Sequence, residues 1–405
     1  MCSAPHPAPR RPVIIQWQLS SFFGWGIYGL NLALNWVDDP DLAPLASYPI
    51  LASQVTLDAV RLNHLGPFFR SSFEFQEKLR LQAGQTVQVD VPTLVGLGNG
   101  FHGGASAHKT TVTGRPDIGV IFFENTDFSP EALERARRYR LIVAGSTWNR
   151  DILRELGIGP VETVLQGVDP TLFHPAPKAG YLRDRFVIFS GGKLEFRKGQ
   201  DLVLLAFRAF AQRHPEALLV TAWHSPWPKV ADSIAMNRAV APVPYTPQGK
   251  VDVRGWAVAN AVPPEQVIDL GEVPNALMPP ILREMDVALF PNRGEGGTNL
   301  VAMETMACGV PVILSRNTGH LDLIRPEAAY VLEQQTPLGG SGAGVGAVPG
   351  WSNSSVDEIV ATLEAVWQDR EKARQRGAAG AAMLAELSWS RQTRRLKETI
   401  LPVLA

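Results

Sequence analysis

Short apolar runs alternate with helix-length segments along most of this chain, and the alternation begins twice. "VIIQWQ" (13–18) reads as a buried strand, and the glycine-containing "SSFFGWGIYGLNLALNWV" after it reads as a turn followed by a helix. "IGVIFFEN" (118–125), "RLIVAGS" (140–146) and "VETVLQGVDP" (161–170) read as further strands, the second feeding the helix "TWNRDILREL". "DPTLFHPAPKAGYLRDR" (169–185), rich in Pro, Gly and charge, interrupts the rhythm as a linker. Strands then resume at 186–192, 217–223, 267–273, 286–291 and 310–315, with an amphipathic helix at 199–215. Strands alternating with helices imply parallel sheets with both faces covered. The expected fold class is therefore α/β, with two Rossmann-like domains facing a cleft.

The boundaries follow from these breaks. Residues 1–12 read as a flexible tail, 13–177 as the first domain, 178–385 as the second, and 386–405 as a terminal helix. The segment between 224 and 265 reads as either an insertion or a short helical pair. The stretch 336–351 reads as a mobile glycine-rich loop, and the chain reads as helical from 354 onward.

Composition narrows the function. A net charge of −1 over 405 residues argues against a nucleic-acid surface. The two cysteines, Cys2 and Cys308, cannot build a disulfide framework or a metal cluster. The Pro-rich start lacks the apolar core of a secretory signal, and no apolar run of about 18 residues suggests a membrane span. A cytoplasmic protein is the expectation.

Ligands of Rossmann-like sheets sit beyond the carboxyl ends of the strands, and the polar clusters lie there. In "SGGKLEFRKGQD" (190–201), Gly192 permits close backbone approach. Lys193 and Lys198 lie five apart at a helix start, with Arg197 beside the second. Paired cations at a helix N-terminus suit a diphosphate; a solvated charged turn is the plainer reading. In "GEGGTNLVAMETMACGVPVIL" (294–314), Thr298 or Asn299 can cap a helix that Gly309 and Pro311 stop. The backbone N–H groups of Gly297, Thr298 and Asn299 would form an anion site near Gly296 and Leu300. Glu304, on the second turn, could accept from two ribose hydroxyls, or simply pair with a nearby base.

Weaker signals remain. "GWGIYG" brings Gly24 and Gly26 after the first strand, where they could approach a phosphate or sugar, but no acidic residue completes a dinucleotide fingerprint. Trp25, between those glycines, could stack on a sugar. Glu124 and Asn125 close a strand and could serve the acceptor, Glu124 as a base; His102 lies in a glycine-rich loop. The basic stretch "ERARRYR" (134–140) reads as a solvated face or a peripheral membrane contact.

These residues resemble the retaining glycosyltransferases of family 4, which have the GT-B fold. "SGGKLEFRKGQDLVLLAF" looks like the family's strand, "GRL", spacer, "KG" and helix, with Lys193 where the family usually has Arg. "DVALFPNRGEGGTNLVAMETMACGVPVI" looks like its glutamate-pair segment. "VLQGVDPTLFHP" is similar to its segment with N-G-V-D, with Gln166 replacing Asn. The final "SWSRQTRRLKETILPVL" resembles the helix that returns to the first domain. The family pair is Glu, seven residues, Glu. Here Glu295 and Glu304 have eight residues between them, and Gly296 occupies the usual place of the first Glu. Either the loop bulges and returns Glu295 to the donor sugar, or backbone N–H groups from 297 to 299 take over that work. The bulge is preferred. Glu124 stands near where many members have His.

The resemblance implies transfer of a sugar from a nucleotide-diphosphate sugar to an acceptor hydroxyl, with retention, without a metal, and with no cofactor beyond the donor co-substrate. The first domain would face the acceptor and the second would bind the donor. Lys193, Lys198, Glu295 and Glu124 would carry the chemistry. Gly24, Gly26, Gly192, Lys193, Lys198, Val273, Gly296, Gly297, Thr298, Asn299, Leu300 and Glu304 would hold the donor, with Trp25, His102, Glu124 and Asn125 on the acceptor side. The acceptor (saccharide, lipid, protein or small molecule), the sugar and the base stay open. The alternatives are a catalytically silent sugar-nucleotide-binding partner subunit and a GT-B-fold sugar-nucleotide epimerase.

Overall fold

The computed structural model describes residues 10–104, 109–338 and 348–404. Two six-stranded parallel sheets organise it. In chain order the first contains Arg11–Gln16, Leu42–Ala46, Thr93–Leu97, Asp117–Ile121, Leu141–Ala144 and Val161–Thr163, in spatial order second, first, third to sixth. The second contains Phe186–Gly191, Ala217–Ala222, Val267–Asp269, Val287–Phe290, Val312–Ser315 and Tyr330–Leu332, in order third, second, first, fourth to sixth. That second order is the one in which Rossmann sheets reverse direction beside their first strand, opening a crevice at the strands' carboxyl ends.

The central strands are short because they are pure core. All six residues of "FVIFSG" (186–191) and all four of "VALF" (287–290) are buried. A strand covered on both faces has no reason to alternate polar and apolar residues.

Several sequence expectations are corrected. The tail does not extend to residue 12, because Arg11 and Pro12 pair with Leu42 and Ala43 in the first sheet. Arg10 also donates to the carbonyls of Trp36, Val37 and Leu42. Gly24 and Gly26 lie in the first turn of the Gly24–Trp36 helix, not in a turn before it. Of the strand and turn expected over 161–170, the strand is Val161–Thr163. Between 224 and 265 run a 3₁₀ segment, Pro228–Met236, and a short helix, Val253–Ala259. The loop expected over 336–351 begins and ends in a two-stranded ribbon, Gln335–Pro337 with Ser352–Ser354; residues 339–347 lie outside the described residues, as does Cys2.

The terminal helix is Trp389–Ile400, and it packs on the first half. Trp389 stacks on Tyr28 at 5.6 Å between ring centroids, and Lys397 pairs with Asp39 and Asp41 at 2.7 Å. Stacked aromatics add about 0.5–1.5 kcal/mol beyond the area they bury. The helix therefore ties chain end to chain start. Among the described residues no helix is long and apolar enough to cross a membrane.

Candidate active site

The two halves meet at the carboxyl ends of their strands and enclose a cavity of about 480 Å3. The second half forms one wall from two loops. One follows Phe186–Gly191 and carries Gly192, Lys193, Arg197 and Lys198; the other follows Val287–Phe290 and carries Glu295, Gly296 and Gly297. These strands flank the point where the sheet order reverses. The loops interlock at Gly199, whose φ of +72° suits glycine and where a Cβ would collide with the Pro291 carbonyl.

A buried ion pair anchors the second loop. Arg293 grips Asp201 on the Gln200–Ala211 helix and lies over the Phe196 ring at 3.7 Å. The next residues turn outward to the cavity. Glu295 is 5% exposed and meets Lys198, Arg197 (3.1 Å) and the Asn292 amide. Burial pushes its carboxyl up, but the charges of Lys198 and Arg197 outweigh it and hold the pKa at about 2. Arg197 faces three carboxylates, Glu124, Glu195 and Glu295, which outweigh burial and keep it protonated. Lys193 pairs with Glu195 at 2.9 Å and lies 5.9 Å from the Trp227 ring.

The Leu300–Ala307 helix points its start at this cluster. Asn299, with φ 61°, caps it by accepting from Ala302 N–H. His320, fully buried, holds Asn299: the Asn299 amide meets His320 Nε2 at 3.0 Å, and His320 Nδ1 lies 3.1 Å from Ser315 Oγ. Ser315 Oγ already donates to Asn292 O, so it accepts from Nδ1–H and leaves Nε2 as an acceptor. Burial lowers the His320 pKa to about 4, in keeping with this neutral tautomer.

Glu304 lies on the second turn of this same helix and lines the cavity. It touches no cation; its partner is the Asn275 amide at 2.5 Å. Burial raises its pKa to about 8, with Asn275 opposing. A carboxyl desolvated beside an open cavity is poised to accept from ligand hydroxyls.

Gly296 explains the displaced glutamate. A Cβ there would fall on the carbonyls of Phe122 and Phe123 in the first half. Ser146 Oγ also donates to Gly296 O at 2.7 Å. The position therefore has no room for a side chain, while Glu295, one residue earlier, faces the cations and the cavity.

Most of the expected residues converge. Gly24, Trp25, Glu124, Gly192, Lys193, Lys198, Val273, Glu295, Gly296, Gly297, Asn299, Leu300 and Glu304 all line the cavity. Four do not. Gly26 packs against Ser20, and Thr298 turns its hydroxyl to Met303 Sδ. Asn125 accepts from Asp127 N–H in a local turn, and His102 is exposed outside the lining. The sequence reading missed His320 and Asn275 outright and mentioned Arg197 only in passing. It also missed the His224–Asp269 pair (2.7 Å), whose hydrogen bond raises the His224 pKa. An Asn or His far along the chain carries no local signal of what it will face. In the basic stretch, Arg135 donates to Gly100 O, and the helix expected there ends at Ala136.

Comparison with known proteins places part of the chain. The family model of glycosyl transferases group 1 matches residues 185–338, the stretch that carries both second-half loops of the cavity. The chain carries a glycosyl transferases group 1 domain. Among curated proteins, the chain is 27% identical over 172 residues to a GDP-mannose-dependent alpha-(1-6)-phosphatidylinositol monomannoside mannosyltransferase of Mycolicibacterium smegmatis. That match spans 39% of each protein, so the chain covers less than half of that relative's length. Among solved structures it superposes on a glycosyltransferase from Rickettsia africae with a TM-score of 0.63 and 10% identity, covering 98% of this chain and 99% of the other. It superposes on Anabaena HepE in complex with UDP and glucose with a TM-score of 0.58 and 13% identity, covering 97% and 99%. At such identities the structures show the fold, which is GT-B.

Proposed function

We propose that the chain transfers a sugar from a nucleotide-diphosphate sugar to an acceptor hydroxyl, with retention of configuration and without a metal. The observation that carries this is the division of one cavity into two chemically opposite ends. Lys198, Arg197 and the capped start of the Leu300–Ala307 helix form a cationic end, and Glu304 with Asn275 forms a hydroxyl-accepting end. A nucleoside diphosphate has the matching order of groups, phosphates beside a ribose. The glucose and UDP of the HepE complex and the GDP-mannose of the mycobacterial relative name sugar nucleotides of this kind.

As the glycosidic bond breaks, negative charge gathers on the leaving diphosphate. Lys198 and Arg197, fixed and desolvated, stabilise that charge without having to reorganise. Contact between the halves at Gly296–Phe122 and Ser146–Gly296 keeps water from the reacting carbon. Glu124, Trp25 and Phe122 wall the first-half side, where an acceptor would enter. The mycobacterial relative's name points to a lipid-linked acceptor as the first class to try.

The test is a melting panel with GDP, UDP, ADP, dTDP and CMP, with and without EDTA, on the wild type and Lys198→Ala, followed by transfer assays from the sugar nucleotide of the best base. One nucleoside diphosphate should raise the melting temperature in the wild type alone and in EDTA. Transfer with an inverted product, or a strict need for added divalent metal, would refute the corresponding part of the proposal.

A further inference from the structure

The phosphate end of the cavity is already neutralised from within. Three cations, Lys193, Arg197 and Lys198, are matched by three carboxylates, Glu124, Glu195 and Glu295, every cation in contact with at least one of them. A diphosphate entering this cluster would meet no net positive charge. One carboxylate has to give way.

The three are not equally able to do so. The Glu295 side chain is 5% exposed and held by Lys198, Arg197 and Asn292, with its backbone N–H bound to Thr318 Oγ1. Glu195 is 10% exposed and shared between Lys193 and Arg197. Glu124 is 30% exposed and reaches Arg197 alone, at 3.0 Å. It is also the one that comes from the first half, so its ion pair crosses the cleft.

The Glu124 backbone, unlike its side chain, is fixed. Its carbonyl accepts from Trp351 Nε1 at 2.6 Å, and its N–H donates to Asn99 Oδ1 at 3.3 Å. Trp351 in turn packs under Gly294, where a Cβ would press on the indole. The main chain is pinned while the carboxylate is free to swing.

We propose that Glu124 is an exchangeable internal counter-ion: its carboxylate occupies Arg197 in the empty site, and the donor's diphosphate displaces it. This rests on the donor-site reading above. Displacement leaves the Glu124 carboxylate unpaired on the acceptor-side wall, next to Phe122 and Trp25, only when a donor is bound. Donor binding thereby prepares the acceptor side, which favours donor before acceptor.

The experiment measures GDP and UDP affinity by calorimetry for the wild type, Glu124→Gln and Glu124→Asp. Removing the competing charge, or shortening it out of reach, should tighten nucleoside diphosphate binding about fivefold, the scale of a partly exposed ion pair. A residue that merely shaped the site would weaken binding on substitution, so the sign separates the two roles. Equal or weaker binding in both variants, with clear binding in the wild type, overturns this inference and leaves the donor site standing. Failure of every protein to bind any nucleoside diphosphate overturns the donor site and the inference with it.

Discussion

Arg293 and Asp201 form a two-pronged ion pair, Nη1 to Oδ1 at 2.7 Å and Nη2 to Oδ2 at 2.6 Å, with side chains 1% and 0% exposed. The pair ties the cavity loop after Val287–Phe290 to the helix after the Lys198 loop. The two loops of this wall therefore share one anchor. Asn353 and the Phe196 carbonyl take further guanidinium hydrogens, so four of its five N–H groups are partnered.

Breaking a buried pair by removing one partner costs about 3–5 kcal/mol, because the survivor is left charged and unsolvated. Asp201→Ala should lose stability on that scale in urea denaturation. The double variant Arg293→Met with Asp201→Leu should recover much of it. A single variant as stable as the wild type would refute the anchor.

Gly296 and Gly24 make a matched contrast. A Cβ at 296 meets the Phe122 carbonyl across the cleft, while one at 24 meets nothing within 4 Å. Gly296→Ala should lower the melting temperature and open the contact between halves, seen as faster proteolysis or a larger scattering radius. Gly24→Ala, at the first residue of its helix, should leave the melting temperature essentially unchanged. Equal effects would show that the close approach at Gly296 is not real.

Glu304 should make the ligand-free protein less stable as pH rises. Burial lifts its pKa from 4.5 to about 8. Between those values the folded carboxyl keeps a proton that the unfolded one has lost. Its contribution is fully present below 4.5 and is lost as pH rises through 8. Glu304→Gln should therefore flatten the alkaline side of a melting-temperature profile between pH 5 and 9. An unchanged slope counts against a desolvated Glu304.

His320 acts in the opposite sense. Burial lowers its pKa from 6.5 to about 4. The unfolded imidazole takes a proton that the folded one refuses, so stability is full above 6.5 and falls as pH drops toward 4. His320→Gln, which can still accept from Asn299, should flatten that acid-side loss. His320→Leu leaves the Asn299 amide N–H without its acceptor and should cost about 1–3 kcal/mol at every pH. Identical acid-side curves for the wild type and the Gln variant would remove His320 as their cause.

What was legible followed from local rules. Four strands of the second sheet, Phe186–Gly191, Ala217–Ala222, Val287–Phe290 and Val312–Ser315, are largely buried apolar runs whose ends lie within two residues of those expected, whereas Val267–Asp269 is shorter than expected and Tyr330–Leu332 was not found. The Asn299 cap and the Gly309 stop obey helix-end chemistry that residue type alone announces. Leu42–Ala46 and Thr93–Leu97 were not found. Each is five residues long and carries a breaker, Pro44 or Gly96, so neither has a period to detect. At the site, Lys198 and Glu304 stood out because each sits in a motif.

The sequence by itself determined the α/β plan, its two-fold repetition, and which strand ends carry glycines, cations and carboxylates. These depend on neighbours a few residues apart, where backbone geometry and burial leave few choices. Only the tertiary structure decided which of those groups meet. Arg197 finds Glu124 across the cleft, His320 finds Asn299 twenty-one residues away, and Phe122 leaves Gly296 no room. Such contacts arise from the packing of two sheets, and no pattern within either segment encodes the distance between them.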